Sequence, residues 1–337
     1  MTPLDALRRI AFLLERAREP TYRVRAFRGA ATTIEGLAAG ELERRVETGT
    51  LRQLPGIGEV TERVILEALR GEVPGYLERL EEAAGAIAAG GEALRSLLKG
   101  DCHTHSDWSD GGSPILEMAE AARALGHEYV VLTDHSGRLT IAKGLDRDRL
   151  MKQLDVVERL NEQLAPFRIL TGMEVDILED GTLDMGHEVL SRLDVVVGSV
   201  HSKLRMERAE MTQRMVTALT DPDLDILGHC TGRIVVGRGR PESQFDPELV
   251  FAVAAKFDKA IEINSRPERL DPPIRLLRLA VDAGCRVSID TDAHAPGQLD
   301  WLDHGCARAV ECEVPPDRIV NTARADDLLA WAASHDD

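Results

Sequence analysis

The positions of the apolar residues predict helices throughout the first hundred residues. Leu7, Ile10 and Leu14 recur at the spacing of one helix face. Further helical stretches are predicted near 22–37, 40–48, 59–70 and 74–97, each interrupted at Gly or Pro. The alternation of apolar and polar residues that is typical of strands does not occur here. Residues 1–98 are therefore predicted to form a small all-α domain.

From about residue 100 the pattern changes to short β-branched runs that alternate with amphipathic stretches. A first strand leads into His103, and the later strands are predicted at 129–133, 167–175, 194–200, 225–228, 260–264 and 286–290. The helical stretches between them lie at 114–125, 147–163, 207–220, 246–257 and 272–283. Alternating strands and helices predict a parallel sheet, and about seven such units suit a closed or nearly closed (β/α) barrel. We therefore predict an α/β barrel domain over residues 99–337.

Charge is distributed unevenly between the two predicted domains. The chain has 337 residues and a net charge of −17, yet residues 1–100 carry equal numbers of basic and acidic side chains. An acidic barrel argues against a broad nucleic-acid surface on that domain. The sequence contains no apolar run of about 18 residues that could span a membrane, and its N-terminus does not resemble a signal peptide. Five cysteines without CxxC spacing favour a reducing, cytoplasmic location.

Histidines and carboxylates follow nearly every predicted strand. Because the carboxyl ends of parallel barrel strands share one face, these side chains are expected to converge on one cleft. The nine candidates are His103, His105, Asp110, His135, Glu174, His201, His229, Asp292 and His294. The other four histidines, His127, His187, His304 and His335, lie away from the strand ends and are expected to be ordinary structural residues.

Six histidines and three carboxylates exceed the needs of one metal ion. They suit two or three ions that share ligands, and imidazole favours Zn, Mn or Fe over Mg or Ca. Such a site lowers the pKa of a bound water and holds phosphate oxygens during hydrolysis. Of the basic residues that follow the strands, Lys203 and Arg233 are our preferred phosphate contacts. The sequence has neither a GxSxG nucleophile motif nor a nucleotide-cofactor signature.

A second motif lies in the helical domain, where LPGIGEVT (54–61) connects two predicted helices. Gly56, Ile57 and Gly58 are predicted to form a tight turn whose backbone N–H groups bind one DNA phosphate. The alternative is a connection used only for packing. Upstream, Arg23, Arg25 and Arg28 add a short basic strip for the DNA backbone, and weak, salt-sensitive binding is expected.

These motifs together resemble a known family. HTHSDWSDGG, LTDHS, GMEVDI, SVHS, ILGHCTGR, EINSRPERLD and IDTDAH occur in the order found in the PHP (polymerase and histidinol phosphatase) family. The resemblance covers about 100–325 and is similar in particular to the PHP domain of bacterial family X DNA polymerases. Residues 20–35 and 41–64 resemble the N-terminal helix-hairpin-helix domain of those polymerases. The polymerase core that normally lies between the two domains is absent.

The resemblance implies a distorted seven-stranded barrel and three divalent metal ions. By motif, the first ion is assigned to His103, His105, Glu174 and Asp292. The second ion shares Glu174 and is assigned to His201 and His229, and the third to Asp110, His135 and His294. The sequence departs from the family at Cys230, where the polymerase relatives usually have Pro. It also lacks the lyase lysine of the helical domain, since Lys99 is the only lysine before the barrel, so no lyase activity is expected.

Three functions remain open at this point. The first is a phosphoesterase at DNA 3′ ends, acting as a 3′–5′ exonuclease, a 3′-phosphatase or an abasic-site processing enzyme in repair. Its catalytic residues are predicted to be His103, His105, Glu174 and Asp292, together with Arg233 and Lys203. The second is a small-molecule phosphatase of the histidinol-phosphate type. The third is a non-catalytic DNA-binding module.

Overall fold

The computed structural model describes residues 1–335, so the last two residues of the predicted barrel domain lie outside the described part. Residue contacts divide the chain into Met1–Ala86 and a second unit that begins at Ile87. Leu94 and Leu98 pack with Ile263 and Val287 of the second unit. The segment before the first strand therefore belongs to the barrel unit in the structure, whereas the sequence pattern places this boundary after residue 98.

The first unit is entirely helical. Its helices are α1 (Pro3–Arg16), α2 (Thr21–Glu35), α3 (Glu41–Glu47), a 3-10 turn (Leu51–Gln53), α4 (Glu59–Leu69) and α5 (Gly75–Ala83). Helix α1 starts at Thr2, whose hydroxyl accepts from the Asp5 backbone while the Asp5 side chain accepts from the Thr2 backbone. Helix α5 is much shorter than the predicted stretch 74–97, because a Gly- and Ala-rich segment follows Ala83.

The second unit is built on seven parallel strands in sequential order. They are β1 (Gly100–Thr104), β2 (Tyr129–Leu132), β3 (Arg168–Asp176), β4 (Val195–Ser199), β5 (Ile226–Leu227), β6 (Ala260–Asn264) and β7 (Arg286–Asp290). A parallel bridge joins Thr104 to Ala293, and the His105 N–H donates to the Ala293 carbonyl at 2.8 Å. This contact between the first strand and the segment after the last nearly closes the barrel, as predicted.

Further helices lie before, between and after the strands. They are α6 (Glu92–Arg95), α7 (Ile115–Ala124), α8 (Arg147–Leu164), α9 (His187–Leu190), α10 (Arg208–Leu219), α11 (Pro247–Lys256), α12 (Ile274–Asp282), α13 (Leu302–Glu311) and α14 (Ala325–Ala333). Short 3-10 turns lie at Thr140–Ala142, Pro296–Trp301, Pro316–Arg318 and Val320–Thr322. No helix within residues 1–335 is long and apolar enough to cross a membrane.

Alternate residues of the strands pack on opposite sides of the sheet, as the two-residue repeat of a strand requires. Val130 and Leu132 pack with residues of α7 and α8, whereas Val131 packs with Val197 and with Leu328 of α14. Apolar packing on both sides fixes the strands, so the loops at their carboxyl ends are presented on one face of a rigid barrel.

Candidate metal centre

The structure brings all nine predicted histidines and carboxylates together at the carboxyl ends of the strands. His103 lies within β1 and Glu174 within β3, and both side chains are almost completely buried. The others lie in the segments that follow β1, β2, β4, β5 and β7. They are His105, Asp110, His135, His201, His229, Asp292 and His294. The convergence follows from the parallel topology, which places successive strand ends on one face.

Glu174 occupies the centre of this group. Five histidine nitrogens lie within ion-pair distance of its two oxygens: His103 Nε2 at 3.3 Å, His105 Nε2 at 3.6 Å and His135 Nδ1 at 2.8 Å from Oε2, and His201 Nε2 at 3.2 Å and His229 Nε2 at 2.9 Å from Oε1. One carboxylate therefore faces two sets of imidazoles. That arrangement suits a carboxylate that bridges two cations.

Asp110 and Asp292 extend the cluster on the side of His105. Asp110 Oδ1 lies 3.5 Å from His135 Nε2 and 3.4 Å from His294 Nε2. Asp292 Oδ1 lies 3.4 Å from His105 Nε2. Possible ligand atoms of His105, Asp110, His135 and His294, one from each residue, lie within 4.8 Å of one another, which is close enough for them to share a cation.

The hydrogen-bonding pattern tests whether the residues fit metal ions. Several buried ring nitrogens have no hydrogen-bond partner within residues 1–335: Nε2 of His103, both nitrogens of His105 and His201, Nδ1 of His135 and Nδ1 of His229. Glu174 Oε2 also has no hydrogen-bond partner among these residues. Buried polar atoms without partners are costly. Since imidazole and carboxylate are ligands for divalent metals, this donor set fits metal ions.

Burial and neighbouring charges shift the pKa values of the residues in the cluster. Burial raises the pKa of Glu174, but the surrounding His103, His135 and His201 outweigh burial and hold it well below its ordinary value. Burial lowers the pKa of His201, whereas Glu174 and Asp176 raise it to about 9. For His105, burial together with the neighbouring histidines lowers the pKa well below its ordinary value. The carboxylates are thus ionised and available as ligands.

Glu262 of β6 contacts two of the histidines and is not among the residues predicted from the sequence. His103 Nδ1 lies 2.6 Å from Glu262 Oε1, and the His229 backbone N–H donates to Oε2 at 2.5 Å. A neutral His103 that donates from Nδ1 has its lone pair on Nε2, the atom that faces Glu174. The signal in the sequence is a single acid within the apolar strand 260–264.

Asp134 fixes the loop that follows the first histidine pair. It accepts hydrogen bonds from the Ser106 backbone at 2.8 Å, from the hydroxyls of Ser106 and Ser109 at 2.5 Å each, and from Gln153 Nε2 at 2.6 Å. Asp134 precedes His135 directly in the chain. These bonds therefore hold the Asp110 loop and His135 in a constant relation.

The two preferred phosphate contacts lie in different surroundings. Arg233 donates from Nε to the Arg269 carbonyl at 2.9 Å and from Nη2 to the Leu270 carbonyl. These donors are therefore already used inside the loop. Lys203 is exposed, has a left-handed φ of 53°, and makes no side-chain hydrogen bond or ion pair within the described residues.

Two other arginines contact the cluster directly. Arg266 Nη1 donates to the Asp292 carbonyl at 2.9 Å and lies 3.0 Å from His294 Nδ1. Arg269 Nε lies 3.1 Å from Asp292 Oδ2. Burial lowers the pKa of Arg269, but Asp292 and Glu174 raise it above its ordinary value. The Arg269 guanidinium thus remains charged beside Asp292.

In the helical unit, Gly56 makes the turn that the PGIG motif predicts. Its φ is +74°, and a Cβ atom there would lie 3.4 Å from the Gly29 carbonyl carbon of α2, so the position favours glycine. Ile57 is buried, its N–H donates to the Leu54 carbonyl, and the Gly58 N–H donates to Thr61 Oγ1. The amides of Ile57 and Gly58 are therefore used within the turn.

The three arginines of the basic strip differ in their partners. Arg23 pairs with Glu19 and donates to the Tyr76 hydroxyl at 2.6 Å. Arg28 forms two hydrogen bonds with Glu15, at 2.9 and 2.8 Å. Arg25 is exposed and has no side-chain partner within residues 1–335. Arg25 is thus the member of the strip whose charge is not neutralised by a neighbour.

The histidines that lie away from the strand ends have structural partners. His127 Nε2 lies 3.0 Å from Arg95 Nη2, His187 Nδ1 lies 2.8 Å from Asp223, and His335 Nδ1 lies 2.7 Å from Asp225. His304 lies within α13.

The structure also gives the surroundings of Cys230 and Lys99, the two residues discussed above as departures from the family pattern. Cys230 is buried with its sulfur 3.8 Å from Asp271 Oδ1. Lys99 forms an ion pair with Glu128 at 3.1 Å.

Comparison with known proteins gives two matching domain families. Residues 101–266 match the PHP domain, and residues 2–73 match a helix-hairpin-helix domain. The chain is 35% identical over 292 residues to the DNA polymerase/3′-5′ exonuclease PolX of Bacillus subtilis. That alignment covers 86% of this chain and 50% of the relative, so the chain spans half the length of that protein.

Shorter relatives match the barrel over most of their own length. A probable phosphatase of Aliivibrio fischeri is 30% identical over 204 residues, which are 58% of this chain and 77% of that protein. Among solved structures, a histidinol phosphate phosphatase of Lactococcus lactis in complex with Zn, L-histidinol and phosphate aligns with a TM-score of 0.41 at 18% identity. That alignment covers 63% of this chain and 92% of the other chain.

Proposed function

This chain belongs to the PHP family, whose members are metal-dependent phosphoesterases, and on that premise we propose that it hydrolyses phosphate esters at the 3′ ends of DNA. The observation that carries the proposal is the group of buried imidazole nitrogens that surround Glu174 at ion-pair distance without a hydrogen-bond partner among the described residues. An inert barrel has no use for such a costly group, whereas a metal-dependent hydrolase requires one.

The donor set suits three divalent ions of Zn, Mn or Fe. As the family resemblance implies, His103, His105, Glu174 and Asp292 would hold the first ion, and Glu174 would also serve the second with His201 and His229. The third ion would be held by Asp110, His135 and His294. When bound, such ions lower the pKa of a coordinated water and offset the charge of the phosphate oxygens.

The chain's own residues supply binding and orientation. Glu262 Oε1 lies 2.6 Å from His103 Nδ1, and a proton held between these two atoms would leave the lone pair of Nε2 directed toward Glu174. Arg266 and Arg269 lie against Asp292 and provide positive charge for a phosphate at the edge of the cluster. These two arginines suit that role better than Arg233, whose Nε and Nη2 donate to backbone carbonyls.

The helix-hairpin-helix unit supports DNA as the substrate. The relative from Bacillus subtilis carries both exonuclease and polymerase in its name, and the alignment covers 86% of this chain. The exposed, unpaired Arg25 offers a positive charge for the DNA backbone that does not read bases. The predicted phosphate contact through the Ile57 and Gly58 amides is not supported, because both amides donate within the turn. A 3′–5′ exonuclease, a 3′-phosphatase and an abasic-site processing enzyme all act on phosphate esters of DNA.

The test is release of nucleotide or phosphate from 3′-labelled DNA in the presence of Mn²⁺. The His103→Ala variant is expected to lose activity, while His187→Ala, which alters a histidine away from the strand ends, retains it. Equal activity in the wild-type protein and His103→Ala would show that the hydrolysis does not come from this site.

A small-molecule phosphatase is the second candidate, since the whole net charge of −17 falls outside the first hundred residues and opposes a polyanion. Faster turnover of histidinol phosphate than of an oligonucleotide favours this function. A non-catalytic DNA-binding module is the third candidate. Fewer than one bound metal equivalent per chain, with the fold unchanged by a chelator, favours that function.

A further inference from the structure

The loop at 136–145 begins directly after His135 and is anchored to the metal cluster itself. The Ser136 N–H donates to the Glu174 carbonyl at 3.0 Å, and the Leu145 N–H donates to the His135 carbonyl at 2.7 Å. Both ends of the loop are thus joined to residues that carry cluster side chains. Any group at the loop tip therefore has a constant position relative to the cluster.

The loop is stiff as well as anchored. Arg149 Nη1 donates to the carbonyls of Lys143 and Gly144, at 2.6 and 3.1 Å, and the Arg138 N–H donates to Asp184 at 2.8 Å. A Cβ atom on Gly144 would lie 1.8 Å from the Ser136 carbonyl oxygen, so the two arms of the loop are in close contact. Such a loop presents its tip without a large entropic cost on binding.

The tip of this stiff loop carries an isoleucine in water. Ile141 is 90% exposed, although it stands between the buried ends of an ordered segment. Arg138 and Lys143, on either side of it, are exposed and have no side-chain partner within residues 1–335. A large apolar side chain between two unpaired cations suits a ligand that is both anionic and apolar, as a nucleotide is.

The loop after His229 repeats this composition. Val235 is 50% exposed, its N–H donates to the Glu268 carbonyl at 2.7 Å, and Arg238 and Arg240 follow it closely. Two loops that follow metal-ligating histidines therefore both combine an exposed β-branched residue with basic neighbours. A small phosphate ester needs only the basic side chains of these loops for binding. The exposed Ile141 and Val235 therefore indicate a larger substrate.

We infer that Ile141 packs against the base of the 3′-terminal nucleotide while Arg138 and Lys143 hold the backbone beside it. Ile141 is then a specificity-determining residue that favours strand ends carrying a base. This inference rests on the proposed activity at DNA 3′ ends. Apolar side chains pack against bases in a sequence-tolerant way, so no preference among the four bases is expected.

The experiment compares two 3′-labelled oligonucleotides that differ in one feature. One ends in a normal nucleotide, and the other ends in a tetrahydrofuran residue that has the same phosphate but lacks the base. For the full-length wild-type chain, KM is expected to be about tenfold lower for the normal end, which corresponds to about 1.4 kcal/mol. In Ile141→Ser this difference disappears with kcat unchanged, and Ile141→Leu restores it.

Matched variants distinguish the effect of Ile141 on the preference from general effects of losing an exposed side chain. Leu249→Ser removes another apolar residue, 50% exposed on α11, and is expected to keep the tenfold preference. Arg138→Ala and Lys143→Ala are expected to raise KM for both ends alike, since they act on the backbone. An Ile141→Ser variant that keeps the preference, or that loses kcat equally on both ends, overturns the inference while the proposed function stands. A wild-type chain that cleaves neither oligonucleotide overturns both.

Discussion

Replacing Glu262 by Gln tests whether a buried carboxylate sets the direction of the His103 lone pair. Glu262 accepts from three donors: His103 Nδ1 at 2.6 Å, the His229 N–H at 2.5 Å and Asn264 Nδ2 at 3.2 Å. A glutamine amide has one accepting oxygen where the carboxylate has two. The NH2 group of the glutamine must therefore face one of the three groups that donate to Glu262. Of these three, only His103 can accept a hydrogen bond instead, so the NH2 group donates to its Nδ1.

That exchange moves the proton of neutral His103 to Nε2, the atom that faces Glu174 at 3.3 Å. A protonated nitrogen cannot bind a metal ion. Loss of an orienting partner typically lowers metal affinity by about 10- to 100-fold. This range corresponds to about 1.4–2.8 kcal/mol at about 1.4 kcal/mol per factor of ten.

The assay is metal content after equilibrium dialysis against a series of buffered free Zn²⁺ concentrations. Glu262→Gln is expected to need about 10- to 100-fold more free Zn²⁺ for full loading. Glu311→Gln, which alters an exposed ion pair with Arg278, is the matched control and should load as the wild type does. A Glu262→Gln protein with unchanged Zn²⁺ affinity would refute the orienting role.

Two further predictions concern stability and DNA binding. Burial and nearby Arg95 lower the pKa of His127 from 6.5 to about 3, so its neutral ring contributes stability above pH 6.5 that is lost as the pH falls toward 3. By pH 5 this loss is about 2 kcal/mol in urea unfolding of the wild type, and it is absent in His127→Gln. In fluorescence anisotropy, Arg25→Ala should reduce the salt dependence of DNA binding by about one ion without changing the melting temperature. Arg28→Ala should instead destabilise the helical unit by about 2 kcal/mol, because Glu15 loses its paired hydrogen bonds. Equal melting temperatures for Arg25→Ala and Arg28→Ala would contradict the separate roles of Arg25 in DNA binding and Arg28 in stability.

The strand ends could be predicted from sequence because their physical rule is local. A β-branched run such as 286–290 predicts a strand, and in a parallel barrel the residues after it, Asp292 and His294, must lie on the catalytic face. The same rule places His135 after β2 and His229 after β5. The match of residues 101–266 to the PHP domain confirmed the family resemblance, and the observed strand order confirmed the seven-stranded parallel barrel.

Side-chain pairing could not be predicted because it depends on which distant groups compete for one donor. Arg233 and Arg269 look alike in the sequence, yet Arg233 donates to backbone carbonyls and Arg269 lies against Asp292. The partner of Arg28 is Glu15 on another helix, which no spacing rule indicates. Glu262 gave a weak signal as an acid in an apolar strand, but only its contact with His103 shows its role.

The side chains around Glu174 are proposed to bind a cluster of divalent ions. The metal content of the purified chain, measured by mass spectrometry after dialysis against metal-free buffer, tests this proposal. We expect about three equivalents of Zn, Mn or Fe per chain, and a clear loss in Glu174→Gln, whose carboxylate faces five imidazoles. Fewer than one equivalent in the wild type, or the same content in Glu174→Gln, would contradict it.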